Sequence, residues 1–147
     1  MKTILVSACL LGVCCRYDGK EKRNEAVTAL LEREDLRLIP VCPEQMGGLS
    51  TPRLPCEMQG DKVINSMGED MTKYFAEGAR QVLKIARLYH CDLAILKERS
   101  PSCGAGQIYD GTFTGTLTNG DGMTAQLLRR HGILVIGESH IEKEDKT

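Results

Sequence analysis

Four short apolar runs, rich in β-branched residues and nearly continuous rather than alternating, constrain this chain more than any other feature. They are Thr3–Ser7, Leu36–Val41, Leu93–Leu96 and Ile133–Ile136. Such runs read as strands covered on both faces, as in a parallel sheet. Between them apolar residues recur at three- and four-residue steps, the helical period. Glu25–Glu34 carries Val27, Leu30 and Leu31 on one face, and Gly122–His131 carries Ala125, Leu127 and Leu128. The longest segment, Glu69–Tyr89, carries Met71, Phe75, Ala79, Val82, Ile85 and Ala86, a stripe that reads as core. Strands alternating with helices predict a Rossmann-like, three-layer α/β domain with a mainly parallel sheet of about four to five strands. Right-handed crossovers would place helices over both faces. At 147 residues the chain has the length of one such domain, spanning 1–147.

Charge and hydropathy narrow the partners. The net charge is −1 and the Lys and Arg residues are dispersed, whereas a protein that grips a nucleic-acid backbone carries a basic excess. No run approaches the ~20 apolar residues of a membrane helix. The apolar start, Met1–Cys9, is only strand-sized and is followed by Arg16, Lys20 and Lys22, unlike a signal peptide. The expectation is a cytoplasmic protein that meets a small molecule, not a nucleic-acid polymer or a membrane.

In that compartment disulfides are rare. Seven cysteines, an odd number, exceed what packing needs and point to metal, cluster or thiol chemistry. Cys91 reads as a small buried hydrophobe. Cys9 follows the first strand, Cys42 the second, and Cys103 comes a few residues after the third. Ligand sites of open α/β sheets form beyond the carboxyl ends of the strands, so Cys9, Cys42 and Cys103 are expected to converge on one metal or cluster site. The absence of any Cys-x-x-Cys pair excludes a zinc ribbon. Three thiolates from three loops suit a cubane iron–sulfur cluster, and soft sulfur ligands favour iron–sulfur, zinc or copper.

The surrounding residues are polar in a useful way. Glu44, two positions after Cys42, could move a proton. Ser100 or Ser102, beside Cys103, could hydrogen-bond a substrate heteroatom. Two segments break the strand–helix rhythm. Cys42–Ser66 is a long Gly- and Pro-bearing excursion, in which Arg53 is expected to pair with Glu57. Ser100–Gly122 holds six glycines and a candidate strand at Thr112–Leu117. Arg16–Gly19 reads as a turn that offers Tyr17 to a planar ligand. His90 and His131 suit helix C-terminal ends, and no histidine is assigned to catalysis.

Three ordered motifs together resemble a known family. The first is Ser7-Ala8-Cys9-Leu10-Leu11-Gly12 with Arg16-Tyr17-Asp18-Gly19. The second is Cys42-Pro43-Glu44 with Gly47-Gly48-Leu49, Thr51-Pro52-Arg53 and Glu57. The third is Ser100-Pro101-Ser102-Cys103-Gly104 with Tyr109-Asp110-Gly111. This pattern is similar to that of the small bacterial and archaeal domain whose characterised members are 2-thiouracil desulfurases. The resemblance implies a [4Fe–4S] cluster held by Cys9, Cys42 and Cys103, with one iron open to the thiocarbonyl sulfur of a thiolated pyrimidine or similar small thioamide. It also implies Glu44 as the acid/base and Ser100 as the substrate contact, in a C–S cleavage with no net electron transfer. Cys14 or Cys15 could close the cluster, although Arg16 and Tyr17 better suit an open ligand pocket. The alternative is a non-catalytic module binding zinc or a redox-sensing cluster. A third reading, Cys103 as nucleophile, lacks the usual His partner.

Overall fold

The computed structural model describes residues 1–145. Its centre is a four-stranded, all-parallel sheet that runs, edge to edge, through Leu36–Val41, Lys2–Ser7, Leu93–Leu96 and Leu134–Gly137. The strands are β1 (Lys2–Ser7), β2 (Leu36–Val41), β5 (Leu93–Leu96) and β8 (Leu134–Gly137). The apolar runs therefore became the sheet, with β2 and β5 at the expected bounds. Val6 and Ile95 are partners in neighbouring strands, and both are fully buried. After β1 the chain adds β2 on one side, then crosses to β5 on the other. That reversal opens a crevice at the carboxyl edge between β1 and β5.

Helices cover both faces, giving three layers. On one side α3 (Thr72–Leu88) and α4 (Met123–Arg130) pack Val82, Leu83, Ala86, Ala125 and Leu128 against the sheet. On the other, α1 (Glu25–Ala29) and α5 (Glu138–Asp145) contribute Val27 and Ile141. The first helix is shorter than its periodicity suggests, because it tightens into a 3₁₀ turn at Leu30–Glu32. Asn24 caps its start through Oδ1, which accepts from Val27 N at 3.0 Å.

The two irregular segments hold structure that periodicity did not reveal. Cys42–Ser66 contains the one-turn helix α2 (Pro43–Met46) and an antiparallel hairpin of β3 (Cys56–Gln59) and β4 (Lys62–Asn65). Ser100–Gly122 contains a second hairpin, β6 (Gln107–Tyr109) with β7 (Leu117–Asn119). The candidate strand at Thr112–Leu117 is instead mostly the tip of that hairpin, where Phe113 and Gly115 have positive φ. Met58, Val63, Phe75 and Ile108 form a separate small core that fastens both hairpins to α3.

Helix α2 matters because it follows Cys42 directly and carries Glu44. Two glycines let it cross α3 at backbone contact. A Cβ on Gly78 would stand 1.9 Å from the Pro43 carbonyl oxygen, and one on Gly47 would stand 2.0 Å from that of Tyr74. Real Cβ atoms do not approach so closely, so Gly78→Ala must push α2 away. We expect it to lower stability by about 3 kcal/mol and to lower the denaturation midpoint in urea. An unchanged midpoint would show that α2 is not seated on α3 as described.

Candidate active site

Each of the five residues singled out above is positioned by the end of a strand. Cys9 lies in the 3₁₀ turn Ala8–Leu11 that β1 runs into, closed by Gly12 at φ 98°. Cys42 follows β2 in extended backbone and caps α2, whose first residue is Pro43, a favoured opening for a helix. Cys103 follows β5 in a loop gripped by α4, where Met123 N donates to Pro101 O and Thr124 N to Ser102 O. The structure brings Cys9, Cys42, Cys103, Glu44 and Ser100 onto the wall of one cavity of about 540 Å³. That volume suits a small molecule.

The carboxylate of Glu44 is held from two sides. Arg53 Nε donates to its Oε1 at 2.9 Å. Ser102 Oγ donates to its Oε2 at 2.8 Å. Ser100 Oγ stands 2.9 Å from Ser102 Oγ and 3.5 Å from Glu44 Oε2. A carboxylate and two hydroxyls thus form a continuous path along which a proton can move. Ser100 Oγ also accepts from the backbone N–H groups of Ser102 and Cys103, both at 3.1 Å, which shapes the turn.

Arg53 does not pair with Glu57, as the sequence suggested. It reaches Glu44, and its remaining nitrogens donate to the carbonyls of Ser50 and Cys15 and to Thr51 Oγ1. Only 7% of its side chain is exposed, against 14% for Glu44. Removing one partner of a buried pair strands the other charge. Arg53→Ala should therefore cost about 3 kcal/mol of stability, read as a lower thermal midpoint. Arg53→Lys should recover only part of this, because an ammonium cannot reproduce the planar fork. A midpoint unaffected by Arg53→Ala would contradict the buried pairing.

The cavity holds more sulfur than the motif count anticipated. Cys15 is 3% exposed and lines the same wall, and its carbonyl oxygen accepts from Cys42 Sγ at 3.7 Å. Cys56 also lines it, whereas Cys14 is exposed and lies outside it. Burial and neighbouring groups push the Cys15, Cys42, Cys56 and Cys103 thiols up. Cys42 is driven up by the Cys15 thiol and then by burial. Burial pushes Cys103 up to about 12, against hydroxyl contacts from Ser7 and Ser102. Cys15 stands at about 11: Cys42 lowers it, but Cys9 and burial outweigh that. A reactive nucleophile needs the opposite, a lowered thiol pKa beside a base, so the reading of Cys103 as nucleophile is not supported.

Soft donors that reach one cavity from three loops fit a multinuclear iron–sulfur group. Among the described residues, no three His, Cys, Asp or Glu side chains stand close enough together for one metal ion. A cubane has no such need, because each thiolate takes a different iron.

Sequence reasoning ranked Ser102 and Arg53 too low and left Cys15 open. Ser102, 1% exposed, is the nearer hydroxyl to Glu44. Its signal was present in the Ser-Pro-Ser-Cys motif, but alternation in a turn cannot tell which serine points inward. Tyr17 does line the cavity, 41% exposed, beneath the guanidinium of Arg16 at 5.8 Å. His90 and His131 follow α3 and α4, outside this cavity.

Comparisons with known proteins bear on this geometry. A family model described as 2-thiouracil desulfurase matches residues 4–140. The uncharacterized protein YbbK of Bacillus subtilis (strain 168) is 41% identical over 148 residues, covering 94% of this chain and 97% of its own length. A solved structure of the [4Fe-4S]-dependent thiouracil desulfidase TudS superposes with a TM-score of 0.90 at 45% sequence identity, covering 97% of this chain and 95% of that one.

Proposed function

The chain belongs to the 2-thiouracil desulfurase family, and on that premise we propose that it is a [4Fe–4S]-dependent desulfurase converting 2-thiouracil, or a closely related thiolated pyrimidine, to the oxygen analogue. Cys9, Cys42 and Cys103 would hold the cluster, each from the end of its own strand. When bound, the cluster supplies a thiophilic Lewis-acid iron that three protein ligands leave free. The overall reaction consumes water and releases hydrogen sulfide, with no change in net oxidation state.

The remaining chemistry falls to the side chains. Glu44 takes a proton from the incoming water at Oε2 and returns one to the departing group. Arg53 occupies Oε1, which fixes the plane of the carboxylate and turns Oε2 toward the serines. Ser100 hydrogen-bonds the substrate's ring heteroatoms, and Ser102 links it to Glu44. Among the described residues no helix is long and apolar enough to cross a membrane, and the small cavity favours a free base over a polymer.

One observation carries this reading. Three thiols, one from each of three adjacent parallel strands, meet a carboxylate pinned between an arginine and a serine on a single cavity wall. The test is anaerobic reconstitution with iron and sulfide, followed by incubation with 2-thiouracil. Catalytic formation of uracil with an equal amount of sulfide is expected. A fully loaded protein that leaves 2-thiouracil intact would reject the reading.

A further inference from the structure

The tip of the β6–β7 hairpin carries a feature that cluster binding and proton transfer do not use. It reads Gly111-Thr112-Phe113-Thr114-Gly115-Thr116, and Phe113 is its one large apolar residue. Phe113 adopts φ 58°, a left-handed conformation that is rare for a bulky side chain and natural for glycine. Phe113 is 37% exposed and lines the same cavity as the thiols and Glu44. A residue chosen only to make this turn would be Gly or Asn. Strain and exposure together indicate that the ring itself is wanted there.

The fold holds that ring in place from below. Glu57, only 9% exposed, takes no part in the Glu44–Arg53 pair. Its Oε1 accepts from the backbone N–H groups of Gly111 at 3.0 Å and Phe113 at 3.2 Å. Gln59 Nε2 donates to Gly111 O at 2.9 Å. Gly111 packs so closely on β3 that a Cβ there would stand 2.6 Å from Met58 O. Asp110 N donates to Thr116 O at 2.9 Å and closes the loop. The hairpin tip is thus fixed to β3, the strand that also brings Cys56 and Glu57 to the cavity.

We propose that Phe113 is a specificity-determining residue whose ring stacks on the flat heteroaromatic ring of the substrate, and that Glu57 is the positioning residue that sets it there. The inference rests on the desulfurase reading and adds to it a contact that selects a flat aromatic ring over a non-planar thioamide. Stacking of a base on an aromatic side chain is sequence-tolerant and relies on the π-face. It therefore complements Ser100, which reads heteroatoms at the ring edge.

Phe113→Gly is the informative variant, because glycine keeps the backbone conformation and removes only the ring. The cluster-loaded protein should show a KM for 2-thiouracil raised about tenfold or more, the size expected for loss of one base stack. Its kcat should stay within about threefold of wild type, since the proton path is untouched. Uracil, titrated calorimetrically into loaded protein, should lose affinity by a similar factor, with cluster absorbance unchanged. Phe113→Tyr should restore both values. Glu57→Ala should raise KM in the same way, and Glu57→Gln, which keeps an acceptor for both N–H groups, should not. Unchanged KM and uracil affinity in Phe113→Gly would overturn the proposal, and so would a loss that Phe113→Tyr fails to restore. Uracil titration reads the stack even without turnover. Inactive wild type with intact uracil binding would therefore count against the desulfurase reading alone.

Discussion

Glu44→Gln should lower turnover of 2-thiouracil by roughly a hundredfold to a thousandfold, within the range for removal of a general acid/base, while the cluster stays fully loaded. The amide keeps the size of the carboxylate. Its oxygen can still accept from Arg53, as Glu44 Oε1 does at 2.9 Å. What it cannot do is take up and release a proton between water and the departing sulfur. The loss should fall on kcat, with KM little changed, because Glu44 is assigned to the chemical step. Glu44→Ala is a poorer test, since it leaves the buried Arg53 without its counter-ion and confounds chemistry with stability. If Glu44→Gln turned over within about threefold of wild type, the acid/base role would pass to another group.

Cys42→Ala should abolish both the cluster and all turnover while leaving the fold intact. Cys42 follows β2 in extended backbone, which alanine adopts freely, and its side chain is only partly buried, so no large void forms. A cubane with two protein ligands is not retained, and bound iron and sulfide should fall to background after desalting. Cys9→Ala and Cys103→Ala should behave alike, with some added loss of stability because both sites are buried. Cys14→Ala is the control: Cys14 is exposed and off the cavity, so cluster and turnover should persist. A Cys42→Ala protein that still held four irons would shift the ligand role to Cys15, which lines the same cavity wall and whose carbonyl accepts from Cys42 Sγ.

The sheet was legible because its strands are buried on both faces, and continuous apolar runs such as Leu93–Leu96 have few other uses. Chain order then carried the three cysteines to one edge before any side chain was placed. The hairpins were not legible. Strand β6 is three residues long and β3 mixes Cys, Glu, Met and Gln, so neither shows a period. Their stability comes from a small local core around Phe75 and Ile108, which no window along the chain can see. The partner of Arg53 was missed for a related reason. Glu57 is nearer in sequence, but the crossing of α2 over α3 turns Glu44 toward Arg53, and that crossing depends on Gly47 and Gly78. Glu57 meanwhile serves two backbone N–H groups of another loop. Cys15 looked ambiguous because burial, not spacing, sets it apart from its neighbour Cys14.

Mössbauer spectroscopy of protein reconstituted with isotopically enriched iron tests the central claim most directly: three thiolates hold the cluster and one iron is left for the substrate. The account predicts that one iron in four is distinct and that its signal alone shifts when 2-thiouracil is added. Four equivalent thiolate-ligated irons, unmoved by 2-thiouracil, would contradict it.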